Sequence, residues 1–263
     1  KISQRMIDVP RNIAFHRIEW KPTNNLVLGL NESVIYSVRN LDIHYLIPVA
    51  PFYPMENYLG DTDNIQMGFD LLYRFKYDQS IYIGFFMDEL TPEWILSSKN
   101  HNWFAYQLGY KIDDLIFQNS SFIIEYNWTD QRIYKHKYKI NDFYSHGEPL
   151  GFWAGPHSEE LLASYSLTVD HSIISINYSM VKRGLISDEA TATNYNDTYN
   201  LRYSDGYEMK NYFSIRLKTA SKVQGLNYIF GVNQVRFENF RLTDNFTFSN
   251  KYSLELGIFY NYE

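Results

Sequence analysis

Apolar residues in this chain recur with a period of two, and that spacing limits the fold more than any other feature. Between positions 64 and 77, Ile65, Met67, Phe69, Leu71, Tyr73, Phe75 and Tyr77 alternate with Asn64, Gln66, Gly68, Asp70, Arg74 and Lys76; only Leu72 is out of step. The last segment repeats the pattern, setting Tyr252, Leu254, Leu256, Ile258, Tyr260 and Tyr262 against Ser253, Glu255, Gly257, Asn261 and Glu263. Successive side chains of a strand point to opposite faces, so each segment reads as a strand with one apolar and one polar side. Similar alternation runs through 13–20 (weakly), 26–36, 81–88, 103–111, 116–128, 161–169, 172–182, 212–220 and 226–237. The expectation is about eleven strands and no amphipathic helix.

The connections alternate as well. Short ones fall at 21–25, 78–80, 112–115, 170–171 and 221–225, and long ones at 37–62, 89–102, 129–160, 181–211 and 238–251. A meander with tight turns at one end and long loops at the other is the organisation of an outer-membrane barrel. The aromatic load agrees, because 24 Tyr, 18 Phe and 5 Trp suit strands and membrane interfaces. A soluble lipocalin-like barrel or a sandwich would turn the polar faces to bulk water. Those faces carry Gly, Ser, Asn and Tyr with few Lys or Glu, which fits a crowded aqueous lumen better. The fold expected is all-β: an antiparallel up-and-down transmembrane β-barrel, one domain over 1–263. Its last strand runs inward, so that every long loop lies outside. Single-chain barrels of this kind usually have even strand numbers, so eleven means either a count off by one or amino-terminal strands that precede Lys1; the abrupt start favours the second, and with it part of a larger barrel.

Several chemistries find no support. With no cysteine, a disulfide framework, thiolate metal sites and a cysteine nucleophile are excluded. A balance of 24 Lys+Arg against 30 Asp+Glu lacks the basic field that broad nucleic-acid binding needs. No apolar run is long enough for a membrane-spanning helix, and no signal-peptide pattern opens the chain. His16, His44, His101, His136, His146, His157 and His171 show no HExxH or His-x-His spacing, and Asp61, Asp63 and Asn64 read as turn chemistry, so neither metal nor cofactor is expected. Gly-rich phosphate loops are missing. Ser164, Ser166 or Ser175 with His171 has no spacing that forces a catalytic pair. Asp88 and Glu89 are adjacent on a strand and so point to opposite faces, which lowers a glycosidase reading. Asp88 is expected to hydrogen-bond a lumenal arginine or a turn backbone, with Glu89 exposed at the start of a loop reaching Trp94.

The long loop at 129–160 is the richest segment. It sets Arg132, Lys135, Lys137 and Lys139 among Tyr134, Tyr138, Tyr144 and Trp153, with His136, His146 and His157 nearby. Aromatic faces stack on the C–H faces of sugar rings, and cationic groups pair with uronates or other acidic groups. Candidate polysaccharide contacts are Arg132, Lys135, Lys137, His146, Glu148, Trp153 and His157. The plainer alternative is an outer loop that packs its own aromatics and displays solvated charge. Gly147, Pro149, Gly151, Gly155 and Pro156 combine opposite backbone freedoms and so shape the loop, as a lumenal plug, the wall of a sugar groove or a simple cap.

Four segments, IEWKPTNNLVLGLNESVIY at 18–36, YLIPVAPFYPMENYLGDTDNIQMGFD at 45–70, IGFFMDEL at 83–90 and HGEPLGFWAGPHSEEL at 146–161, together resemble the capsule assembly Wzi family of outer-membrane barrels. The resemblance implies the carboxy-terminal part of a larger barrel. It also implies a non-enzymatic, lectin-like role at the bacterial outer membrane, attaching capsular or other surface polysaccharide. The partners expected are that polysaccharide and outer-membrane lipid, with no nucleic acid, and the protein is expected to be a monomer. A passive porin-like channel for sugars or ions is the alternative, and an outer-membrane hydrolase a third.

Overall fold

The computed structural model describes residues 10–60, 62–76, 78–88, 102–185, 202–221, 223–242 and 249–260. Eleven strands form one antiparallel sheet: β1 (Arg11–Thr23), β2 (Leu26–Ser37), β3 (Asn64–Lys76), β4 (Gln79–Asp88), β5 (Trp103–Asp113), β6 (Ser120–Thr129), β9 (Ser158–Val169), β10 (Ser172–Gly184), β11 (Tyr207–Ala220), β12 (Leu226–Glu238) and β13 (Ser249–Tyr260). Each pairs with its neighbours in chain order, so the sheet is an unbroken meander, and β1 and β13 are its two open edges among the described residues. Two further strands, β7 (Tyr144–Ser145) and β8 (Glu148–Pro149), make a separate small hairpin. Glu89, Trp94, Asp61, His101, Tyr77, Tyr262 and the segment 186–201 lie outside the described residues.

Register carries the two-residue period across the whole sheet. Residues paired across an antiparallel ladder share a face. One row on the apolar face runs Ile18, Leu30, Phe69, Phe85, Tyr106, Trp128, and another runs Tyr165, Ile176, Ile215, Val232, Leu254. On the polar face, Asp70, Gly84, Gln107, Asn127 and Glu160 share a row, as do Ser164, Asn177, Ser214, Asn233 and Ser253. Along the second of these, Ser164 Oγ donates to Asn177 Oδ1 at 2.7 Å and Asn177 Nδ2 donates to Ser214 Oγ at 3.2 Å. Alternation leaks most in β1, where the exposed Ile13 and Phe15 fall in polar-face rows.

Three expectations need correction. The connection placed at 112–115 runs over 114–119 instead, so β6 begins at Ser120 and not at 116. Asp114 and Asn119 both adopt left-handed backbone (φ 54° and 61°), and the Asn119 N–H donates to Asp114 Oδ1 at 2.6 Å, which closes the turn early. Strands β9 and β11 begin earlier than the apolar pattern, at Ser158 and Tyr207, because polar residues extend the ladder toward the long loops. The absence of helix also fails. The long connection after β2 holds α1 (Phe52–Leu59), started at Pro51 and ended by Gly60, whose N–H donates to Glu56 O at 3.1 Å from a left-handed backbone (φ 108°). Pro54 sits in its first turn, where a missing N–H has no helical partner to lose.

That connection straps the apolar face. Phe52, Tyr45, Tyr36 and Val34 form a buried cluster with Met55, Leu59, Ala14 and Ile65 against it. The strap is tied down by Asp63, which accepts from Nη1 and Nη2 of Arg39 and from the Tyr45 hydroxyl (2.6 Å), so it does more than turn the chain. Glu32 Oε2 accepts the Phe52 N–H at 2.8 Å and faces His16 Nε2 at 2.9 Å.

Candidate functional site

The loop 130–157 lies on the polar face. Ile133, Tyr134 and Phe143 are buried against Ile35, Trp103 and Ala105 of the sheet, with Phe86, Tyr144 and Phe152 packed around them. Asp88, fully buried, accepts the Tyr134 N–H at 2.6 Å, so this carboxylate holds loop backbone as the sequence suggests. Tyr134 is left-handed (φ 71°), an unfavourable state for a bulky residue that its surroundings fix from several sides. Its hydroxyl accepts the Phe152 N–H at 2.9 Å, and burial pushes its phenol pKa up. Two further ties reach other strands: Asn64 Nδ2 donates to Asn141 O at 2.8 Å, and Arg11 of β1 donates to Ile140 O and Asp142 O at 3.2 and 3.1 Å.

The shaping residues act in separate ways. His146 and Gly147 both have positive φ (49° and 85°) and link β7 to β8 as a two-residue hairpin turn, a conformation glycine adopts at little cost. Gly151 is required by proximity, since a Cβ there would lie 2.5 Å from the Tyr134 ring. Gly155 serves through its carbonyl, which accepts from Thr129 Oγ1 at 2.9 Å and Ser158 Oγ at 2.5 Å, just before Pro156 and β9. Pro149 ends the β8 arm opposite Tyr144.

Three of the candidate contacts converge. Lys135, Glu148 and Trp153 line one cavity of about 410 Å³ with Tyr144, Arg183, Ala154, Gly155 and Pro156. Lys135 Nζ is 3.2 Å from Asp142 Oδ2 and 4.6 Å from the Tyr144 ring centroid, and burial pushes the Tyr144 phenol up to about 12. Trp153 is 54% exposed while its indole N–H donates to Glu160 Oε2 at 3.1 Å, which leaves the ring presented in a fixed orientation. Lys137, His146 and Glu148 are exposed on the loop surface; Arg132 is half-buried, its N–H donated to Asp130 Oδ1 at 3.1 Å.

His157 is placed differently from the expectation. It is buried, its Nδ1 is 3.0 Å from Leu185 O, its Nε2 accepts the Tyr203 N–H at 3.1 Å, and its ring stacks on Tyr203 at 4.8 Å. Both nitrogens are engaged within the protein, so His157 is a seam residue that cannot reach a glycan in this arrangement. Arg202 completes the seam by donating to Thr129 O at 2.8 Å with its guanidinium 4.6 Å from the Trp128 ring centroid. Burial lowers the His157 pKa.

A second cavity, about 640 Å³, opens on the polar face beside the loop, with Phe86, Tyr134, Phe152 and Trp153 on one side and Asp70, Gln107, Glu125, Asn127 and Glu160 on the strands. Sequence reading missed these strand residues. The available signal was the run of carboxylates and amides at polar positions of neighbouring strands, which becomes visible only once register aligns them. Among the described residues no three His, Asp or Glu side chains are grouped to hold a metal ion.

No family model and no curated protein matches the chain. Its fold is similar to the solved structure of Wzi from Escherichia coli, described as an outer-membrane protein involved in group 1 capsule assembly and a carbohydrate-binding β-barrel, with a TM-score of 0.60 at 15% sequence identity. The match covers 95% of this chain and 52% of that one, so the chain spans about half the length of that barrel. The resemblance read from the sequence is thus met in the fold.

Proposed function

We propose that this chain forms part of an outer-membrane barrel wall that holds capsular or other surface polysaccharide without turning it over. The observation that carries the reading is Trp153: a half-exposed indole, oriented by Glu160, in the wall of a cavity that also presents Lys135 and Arg183. A flat aromatic stacks on sugar C–H faces, and paired cations recognise uronate or other acidic substituents. Lys137 adds a cation on the exposed surface of the same loop, where His146 is also exposed. The continuous apolar face turns to the lipid of the membrane and the polar face to the lumen, as the fold likeness to a carbohydrate-binding barrel supports. A monomer suffices for this role.

The porin-like reading is disfavoured because loop 130–157 packs onto the polar face and occupies lumenal space at the long-loop end. The deciding experiment is glycan retention on cells carrying Trp153→Ala together with Lys135→Ala. Surface polysaccharide should shift severalfold from the cell-bound to the released fraction while the protein stays in the outer membrane. Unchanged retention refutes the binding role. A steady single-channel conductance in planar bilayers would instead establish the channel.

A further inference from the structure

We propose that the lumenal cleft beside loop 130–157 takes a neutral, hydroxyl-rich sugar segment, and that acidic substituents of the same glycan are confined to the outer cavity across Trp153. This rests on the glycan-holding reading above and assigns its two cavities different chemistries.

The two cavities share Trp153 and differ in charge. The outer one is lined by Lys135, Arg183 and Glu148, and behind the lining Lys135 pairs with Asp142 at 3.2 Å and Arg183 with Glu208 at 3.3 Å, so an acidic substituent there meets two cations that each already hold one carboxylate. The cleft is lined by Asp70, Glu125 and Glu160, and none of its lining residues is Lys, Arg or His. Asp70 is partly neutralised by Arg17, 2.7 Å away. Glu125 and Glu160 receive hydrogen bonds from neutral donors: Tyr82 Oη at 2.6 Å and Asn127 Nδ2 at 2.7 Å for Glu125, and Ser179 Oγ at 2.6 Å and Trp153 Nε1 at 3.1 Å for Glu160. Neither carboxylate takes part in an ion pair among the described residues, so a second anion entering the cleft would meet like charge in a partly desolvated place. Sugar hydroxyls meet the opposite situation. Each carboxylate has more lone pairs than it has protein donors, and a hydrogen bond to an ionised acceptor is about twice as strong as one to a neutral acceptor. Phe86, Phe152 and Trp153 supply apolar surface for the ring faces. The cleft volume falls within the roughly 300–1,000 Å³ of small-molecule sites.

The test is titration calorimetry on the detergent-solubilised full chain with two probes: a mixture of neutral trisaccharides of glucose, galactose and mannose, and trigalacturonate. Both should bind. Glu125→Gln and Gln107→Ala should each weaken the neutral probe about tenfold, the scale of losing one charge-assisted or one buried hydrogen bond, and leave trigalacturonate unweakened. Lys135→Ala should do the reverse. Heat-modifiable gel mobility reports that each variant still folds. If the neutral probe ignores both cleft variants but is lost with Lys135→Ala, the cleft assignment falls and the glycan-holding role stands. Binding of neither probe overturns both.

Discussion

Single residues in the loop show where composition succeeds as a guide and where it stops. Clustered aromatics and cations pointed to 129–160, and Lys135, Glu148 and Trp153 do meet around one cavity. Nothing in composition separates His146, exposed at a hairpin turn, from His157, buried under Tyr203, because that difference depends on residues far along the chain such as Leu185 and Tyr203. Burial gives His157 a testable signature. Its folded pKa lies below the ordinary value near 6.5, so as pH falls through that value the unfolded seam takes up a proton first. The seam is fully stable above the ordinary pKa and loses stability as pH drops toward the depressed one. Arg202, Asp205 and Glu159 are the charged groups around it. Protonation also removes the acceptor for the Tyr203 N–H. Hydrogen exchange at Tyr203, corrected for intrinsic rate, should therefore show more opening at about pH 5 than at about pH 7.5, and His157→Phe should abolish that dependence. Equal opening at both pH values would contradict the seam's titration.

At the scale of elements, all eleven sheet strands were legible, because a half-buried strand writes its period directly into the sequence. The misplaced turn at 114–119 shows the weakness of that signal: Leu115, Ile116 and Phe117 are apolar yet exposed, and look like strand until Asp114 and Asn119 are seen to close the chain. The α1 helix was illegible for a different reason. Eight residues including a proline are too few to display a 3.6-residue period, and its stability comes from the strap packing around Phe52. The strap depends on Asp63, whose removal leaves the Arg39 guanidinium and the Tyr45 hydroxyl without that acceptor. Asp63→Ala should speed hydrogen exchange across 42–60 by roughly five- to a hundredfold, the effect of about 1–3 kcal/mol, and leave strands β9 to β11 unchanged. A uniform change over all strands would show that Asp63 supports the sheet and not the strap.

The whole molecule depends on what lies against each face of the meander. Exposed Leu254, Leu256 and Ile258 on β13, with Ile174, Ile176 and Ile215 in rows beside them, form an apolar surface far too continuous for a monomer in water. Turned toward hydrocarbon, the same surface needs no protein partner, and the polar rows with their Ser–Asn and carboxylate–amide hydrogen bonds face an aqueous interior. Two tryptophans report the two environments. Trp20 shares the apolar face with Leu28 and Leu71 and is 62% exposed, whereas Trp153 stands on the loop over the polar face. In proteoliposomes, a variant retaining only Trp20 should be quenched by brominated acyl chains and shielded from iodide. One retaining only Trp153 should respond in the opposite sense. The two outcomes separate physically, since an indole in contact with acyl chains is excluded from ions that partition into water. If Trp20 were iodide-accessible and indifferent to bromolipid, the apolar face would not be lipid-bound, and the chain would have to cover it with other protein.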